Sequence, residues 1–166
     1  MKYQFVDYDP AAYRALDTWR SETIARFAMD GSISREWQYY LDAEEYRAGV
    51  DTFCKVALLD GRPVAVMILF CNPAYPVGIN PMIVDPALAG QGCGSEILRE
   101  FAAHIDTILP FRSDRIEVVI DFENAASIRA FTKAGFAMAR IHPDGGAAIY
   151  ERKIGSKTKL EKRDQS

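Results

Sequence analysis

Three stretches of the chain carry residue types whose spacing can do chemistry. The densest is Asn80-Pro-Met-Ile-Val84-Asp-Pro-Ala-Leu-Ala-Gly90-Gln-Gly92-Cys-Gly94-Ser95. It reads as a strand, a glycine-rich turn and a helix start. Such a turn offers successive backbone N–H groups at the positive end of a helix. Its glycines let an anionic group come close to the backbone. Ser95 adds either a hydroxyl or a cap, and the same stretch also reads as a plain connection that holds nothing. Two phosphate-loop patterns fail here: Walker A needs a Lys after the last glycine, and the dinucleotide fingerprint needs its third glycine three residues beyond the second.

The second stretch holds Glu117 and Asp121, which share one face of a short strand with Val119 by period 2. Asp121 stands at the strand end, where it either meets a substrate amine as base or anchor, or simply begins a turn; Glu117 is the second choice. Asn124 follows at a helix start, where it either caps the helix or contacts a ligand. The third stretch combines aromatic and acidic residues, namely Trp19, Glu22, Trp37, Tyr39, Tyr40, Asp42, Glu44 and Glu45. A wall of this kind suits a cationic amine, with Trp37, Tyr40 and Glu22 as its substrate-binding residues. The competing reading is core aromatics beside a solvated acidic face, and Trp19 lies on the apolar stripe.

Positioning these residues takes a defined order of elements. Tyr3 to Asp7 reads as a strand. Pro10 opens a helix with Leu16, Trp19, Thr23, Ile24 and Phe27 on one face, stopped at Asp30-Gly31. A second helix runs from Ser34, its expected N-cap, through Trp37 to Ala48. Strands follow over Thr52–Leu59 and Pro63–Cys71, joined by Asp60-Gly61, then over Gly78–Val84. One helix leaves the glycine turn and ends at Leu109-Pro110. Then come a strand at Arg115–Asp121, a helix at Asn124–Ala134 stopped by Gly135, and a closing hairpin of Phe136–His142 with Ala147–Ile154. The order is β-α-α-β-β-β-α-β-α-β-β. It predicts an α/β (α+β) domain over residues 1–154, built on a central mixed, mainly antiparallel sheet flanked by helices and containing one parallel crossover. Residues 155–166 read as a polar, flexible tail.

Composition removes other classes. The chain has 166 residues, a net charge of −3 and 49% hydrophobic residues. Its longest apolar run, about eight residues, falls short of the roughly twenty that span a bilayer. The acidic balance argues against nucleic acid. The N-terminus lacks a secretory apolar core. Cys54, Cys71 and Cys93 form no CxxC pair and lie near neither His104 nor His142, so no metal site is expected. Sparse thiols suit a reducing cytoplasm.

Taken together, Val84-Asp-Pro…Gly90-Gln-Gly92-Cys-Gly94 and Asn124…Ser127-Ile-Arg…Lys133-Ala-Gly135-Phe136 resemble the two signature motifs of the GNAT N-acetyltransferases. The resemblance runs from Tyr3 to Ile154. A weaker likeness to aminoglycoside 6′-N-acetyltransferases rests on the closing hairpin. The resemblance implies an acetyl-CoA-dependent N-acetyltransferase acting on a primary amine of a small molecule, aminoglycoside-like among the options, or of a peptide, by direct attack. The pyrophosphate of acetyl-CoA would sit on the amides of Gln91, Gly92, Cys93, Gly94 and Ser95. Met82, Ile83 and Val84 would pair with its pantetheine arm, and Asn124 would contact it. Two positions depart from the pattern. Ala89 stands where Arg or Gln is usual, and Phe131 stands where many members place a Tyr that protonates the leaving thiolate. These departures speak for the alternative, a catalytically weak or inactive acyl-CoA-binding or protein-interaction module of the same fold. A homodimer is left open.

Overall fold

The computed structural model describes residues 1–29, 31–43, 49–110 and 112–155. Its strands are β1 (Gln4–Asp7), β2 (Asp51–Leu59), β3 (Arg62–Cys71), β4 (Val77–Val84), β5 (Arg115–Asp121), β6 (Ala137–Ile141) and β7 (Ala147–Lys153). Its helices are α1 (Glu22–Phe27), α2 (Ile33–Ala43), α3 (Cys93–Ala103), α4 (Ile105–Ile108) and α5 (Ala125–Lys133), with 3-10 turns at Arg14–Thr18 and Pro86–Leu88. The seven strands form one sheet in the order β1-β2-β3-β4-β5-β7-β6. Only β4 and β5 pair in parallel, as expected for a single strand–helix–strand crossover.

The sheet is covered on both faces. On one side Ile97, Leu98 and Phe101 of α3 and Phe131 of α5 pack on Met67, Leu69, Ile79, Ile116 and Val118. On the other, Leu16, Ile24 and Ile33 pack on Val56, Val66, Ile68 and Ile83. β3 lies between these layers, so six consecutive residues, Val64 to Leu69, are buried. A strand covered on both faces reads as a continuous apolar run rather than an alternating one.

The first helical region differs from its expected form. The apolar stripe from Leu16 to Phe27 suggests one helix opened by Pro10; the chain instead makes a 3-10 turn, extends at Trp19 and restarts at α1. Ser21 causes the restart, because its hydroxyl caps the new helix by accepting the Ile24 amide at 3.1 Å. Helical spacing cannot distinguish one helix from two short ones that bury the same stripe. Ser34 is likewise not an N-cap. Ser32 stands at that position, accepting the Arg35 amide at 3.4 Å, while the Ser34 amide and hydroxyl donate to the Asp17 carboxylate at 3.0 and 2.8 Å. The helix expected to run to Ala48 is described to Ala43, and Glu44 and Glu45 lie outside the described residues. The helix expected to reach Leu109 is interrupted at His104, which ends α3 and precedes α4. Beyond Gly155, the expected tail also lies outside the described residues.

α5 ends as its sequence suggests. Gly135 adopts φ 91°, the Phe136 amide donates to the Phe131 carbonyl at 3.0 Å and the Gly135 amide to that of Thr132 at 3.1 Å. This is the Schellman arrangement, and its usual apolar contact is the edge-on pair Phe131–Phe136, with centroids 5.0 Å apart.

Candidate active site

Parallel pairing between β4 and β5 lasts only three residue pairs, from Val77↔Ile116 to Ile79↔Val118. Beyond them β4 continues alongside β3, and β5 alongside β7. β4 carries one extra residue against β3, since Met67 faces Met82 while Leu69 faces Ile79. Such a bulge bends its strand, and it accommodates Pro81, which has no N–H for the ladder. The strands part into a wedge, and a cleft of about 430 Å3 fills it. Ile79 to Val84 line one wall and Val118 to Asp121 the other.

The glycine turn forms one end of this cleft. Gly90 and Gly92 have φ of 76° and 78°, and a Cβ at either would meet nothing within 4 Å, so the turn presents bare backbone. Gly92 is the N-cap of α3. The amides of Gly92, Cys93, Gly94 and Ser95 have no backbone acceptor among the described residues. The Gln91 amide differs from the other four: it donates to the Leu88 carbonyl at 3.3 Å, and Gln91 does not line the cleft. The Ser95 hydroxyl donates to the Gly92 carbonyl at 3.0 Å, so it closes the turn. Arg129 and Lys133, one helical turn apart on α5, add positive charge at the cleft wall. The chain's N-terminus steadies α3, since the Lys2 and Tyr3 amides donate to the two carboxylate oxygens of Glu100 at 2.6 and 2.9 Å. The Lys2 ammonium pairs with Glu96 and holds its carboxyl below the usual range.

Asn124 and Asp121 both line the cleft. Asn124 also caps α5 by accepting the Ser127 amide at 3.3 Å. Asp121 is exposed, and its Oδ1 accepts the Glu123 amide at 2.8 Å, the Asx turn that begins the β5–α5 connection. Glu117 lies outside the cleft and pairs with Arg140 at 3.2 Å. Phe131 lines the cleft at 5% exposure, and no tyrosine lines it among the described residues. Tyr150 is buried in the sheet core.

The three residues expected to hold substrate are placed elsewhere. Trp37 and Tyr40 pack against the α2-side core, and neither lines the cleft. Tyr40 meets Phe70 edge-on at 5.0 Å. Glu22 is exposed at the start of α1, while its neighbours Ser21 and Thr23, with Phe27 a turn later, line the cleft. An ion pair between Arg26 and Glu123 joins α1 to the β5–α5 connection. Sequence spacing missed Phe27, Asn80, Arg129 and Lys133 as cleft residues. The i, i+4 pair of cations on α5 is the one signal that was available.

Cys93 also lines the cleft, whereas Cys54 and Cys71 are buried. Burial pushes the Cys71 thiol up to about 12 and raises that of Cys54 as well. Both stay protonated at pH 8, and the thiolate is the reactive form. One thiol, Cys93, is therefore expected to react readily with dithionitrobenzoate in the folded protein, and acetyl-CoA is expected to slow it. Three thiols reacting together in the folded state would contradict this.

Among the described residues no group of three His, Cys, Asp or Glu side chains could hold a metal ion, and no helix is long and apolar enough to cross a membrane. A family profile described as an acetyltransferase (GNAT) domain matches residues 4–137. No curated protein matches the sequence. Solved structures share the fold. Aminoglycoside acetyltransferase AAC(6')-Ib in complex with coenzyme A and kanamycin is 17% identical, with 91% of this chain and 94% of that chain covered and a TM-score of 0.70. The same enzyme with paromomycin and acetyl-CoA gives 16% identity, coverage of 100% and 99%, and a TM-score of 0.71. Spermidine N-acetyltransferase from Vibrio cholerae with CoA and spermine gives 12%, 92% and 96%, and 0.67.

Proposed function

The chain belongs to the GNAT acetyltransferase family, whose acyl donor is acetyl-CoA, and from this premise we propose that it acetylates a primary amine of a small molecule by direct attack. One observation carries this reading: β4 and β5 separate after Ile79 and Val118, leaving the β4 edge open and leading straight to the amide cradle of Gly92 to Ser95. These residues fit the donor. The open edge at Met82, Ile83 and Val84 can pair with an extended chain of amides as an added strand would. Bare glycine backbone at a helix N-terminus takes a pyrophosphate, with Arg129 and Lys133 beside it for further phosphate charge. Asn124 stands between cradle and acceptor side.

Bound acetyl-CoA supplies an activated acyl carbon. The protein's own contribution is mostly orientation, since the two walls of the wedge hold donor and acceptor in line. Asp121, at the acceptor end, takes the proton that the ammonium must lose before its nitrogen can attack, directly or through a water. Ser21, Thr23 and Phe27 of the α1 region shape the acceptor side. Every residue this reading uses lies on one chain.

The acceptor class is proposed from the neighbours together with the exposed acids Asp121, Glu22 and Glu123 around the mouth. Those neighbours are described with aminoglycosides and spermine. Calorimetry with acetyl-CoA, using NAD and ATP as controls, tests the donor; CoA release with kanamycin and spermine tests the acceptor. Selective binding of acetyl-CoA is expected, and its absence from the folded protein would overturn the reading.

Phe131 favours one alternative, a domain that holds acyl-CoA without turnover. Phe131→Tyr separates the two. A phenol on the cleft wall is expected to raise the rate of CoA release about tenfold, at the low end of general-acid effects because a thiolate leaves readily. Donor binding with no release from any amine, in both the parent and Phe131→Tyr, would establish the alternative.

A further inference from the structure

Two hydroxyls in the interior have no hydrogen-bond partner among the described residues, Tyr8 Oη and Thr52 Oγ1. Their residues are 8% and 9% exposed. Buried polar groups are nearly always paired, so two orphans in one place call for an explanation. Both residues line the same hollow of about 540 Å3, which shares no lining residue with the wedge.

The sheet creates this hollow by ending β1 early. The last bond from the β1 side to β2 runs from the Tyr8 amide to the Cys54 carbonyl at 2.9 Å, and no strand among the described residues pairs with the β2 edge at Thr52. The hollow wraps this free edge. Thr52 and Cys54 project to the α2 side, where Trp37 forms a wall; Phe53 and Lys55 project to the other face by strand alternation, where Thr107 to Pro110 close it.

Lys55 gives the hollow its chemical sign. Its side chain is only 12% exposed, and its Nζ donates to Asp7 Oδ1 at 2.6 Å. An ammonium has three donors, and no second hydrogen-bond acceptor is found for it among the described residues. Asp7 itself is 82% exposed. Spare ammonium donors and two unused hydroxyls therefore line a space whose other walls are the Trp37 indole and the apolar Ile108, Leu109 and Pro110.

We propose that this hollow is a second ligand site, separate from the wedge, for a small carboxylate with an apolar body. The carboxylate oxygens accept from Lys55 and from the Tyr8 and Thr52 hydroxyls, and the apolar body rests against Trp37 and Pro110. An amine is disfavoured, because Asp7 is already paired and stands mostly in solvent.

Benzoate is the probe, with benzylamine and benzyl alcohol as controls. The full chain carrying Trp19→Phe has Trp37 as its sole tryptophan, so Trp37 fluorescence reads the hollow directly, and calorimetry on the parent protein checks it. A saturable change is expected with benzoate and none with benzylamine. Lys55→Met is expected to weaken benzoate at least tenfold, and Tyr8→Phe and Thr52→Val severalfold each. Asp7→Asn releases Lys55 and is expected to tighten binding, a response that a merely structural ion pair would not give. Acetyl-CoA affinity stays unchanged in all four variants. Without benzoate, Tyr8→Phe and Thr52→Val are expected to leave the melting temperature equal or higher, because each removes an unpaired buried group. Three results would each overturn the proposal. They are benzylamine binding in preference to benzoate, benzoate affinity indifferent to Lys55→Met, and no benzoate binding with melting temperatures lowered in the two hydroxyl variants. The last would mean that solvent already satisfies the hydroxyls.

Discussion

Asp121→Asn is expected to lower kcat/KM for the best amine by about 10²-fold or more, the range for loss of a positioned general base, with acetyl-CoA affinity unchanged. Asparagine is the informative replacement. Asp121 serves both the cleft and the turn that starts the β5–α5 connection, through its bond from the Glu123 amide. An asparagine side-chain oxygen accepts that same bond, so the turn survives while the proton acceptor is lost. Asp121→Ala would remove both at once and could not tell them apart. The decisive data are amine-dependent rates over a range of pH, with calorimetric acetyl-CoA affinity measured beside them. A rate unaffected by Asp121→Asn would leave the carboxylate with its turn alone and assign the proton to water. Glu117→Gln is expected to change the rate little, since Glu117 is paired to Arg140 and lies outside the cleft.

Gly94→Val is expected to abolish measurable acetyl-CoA binding while the protein still folds. Gly94 is where α3, β4 and α5 come closest: a Cβ there would stand 3.4 Å from Val84 Cγ2 and 3.7 Å from Ala130 Cβ. Valine adds two further methyl groups in that gap, so the first turn of α3 must move away from β4. Overpacking of this kind costs roughly 1–3 kcal/mol, partly offset because glycine inside a helix costs about 1 kcal/mol. The loss of binding is larger because the cradle amides are displaced relative to the β4 edge, and a shift of about 1 Å in positioning groups can cost about 10²-fold. Gly145→Ala is the control. Gly145 has φ 78° and open space around it, far along the chain in the β6–β7 turn, so the change costs about 1–2 kcal/mol of stability and no affinity. Equal acetyl-CoA affinity in Gly94→Val and the parent, measured by calorimetry, would remove the cradle from the reading.

Much of the site could be read locally. The strand–turn–helix around Gly90 to Ser95, β5, the Asn124 cap and the Gly135 stop all depend on a few neighbouring residues, and each is found where the spacing puts it. Backbone geometry at a positive φ, or a side chain capping its own helix, is settled within about four residues. The acceptor side could not be read this way. Trp37, Tyr40 and Glu22 carry suitable chemistry, yet what α2 buries depends on which strands lie beneath it, and Phe70 and Val56 lie far away in sequence. Phe131 shows the same limit from the other side. The motif marks it as a missing acid, whereas the fold makes it the apolar contact that closes the Schellman turn with Phe136.

The chain's residues alone set its elements, its single parallel crossover and the donor-binding turn, because hydrophobic period and turn chemistry act over short distances. The tertiary structure alone decided where the wedge opens. β4 and β5 must first pair and then be drawn apart by β3 and β7, a competition for strand edges that no local pattern encodes. It also decided which amides stay free, turning Gln91 onto Leu88. By ending β1 before Thr52 it exposed a strand edge beside two unpaired hydroxyls, and a tyrosine and a threonine 44 positions apart carry no sign of that in the sequence.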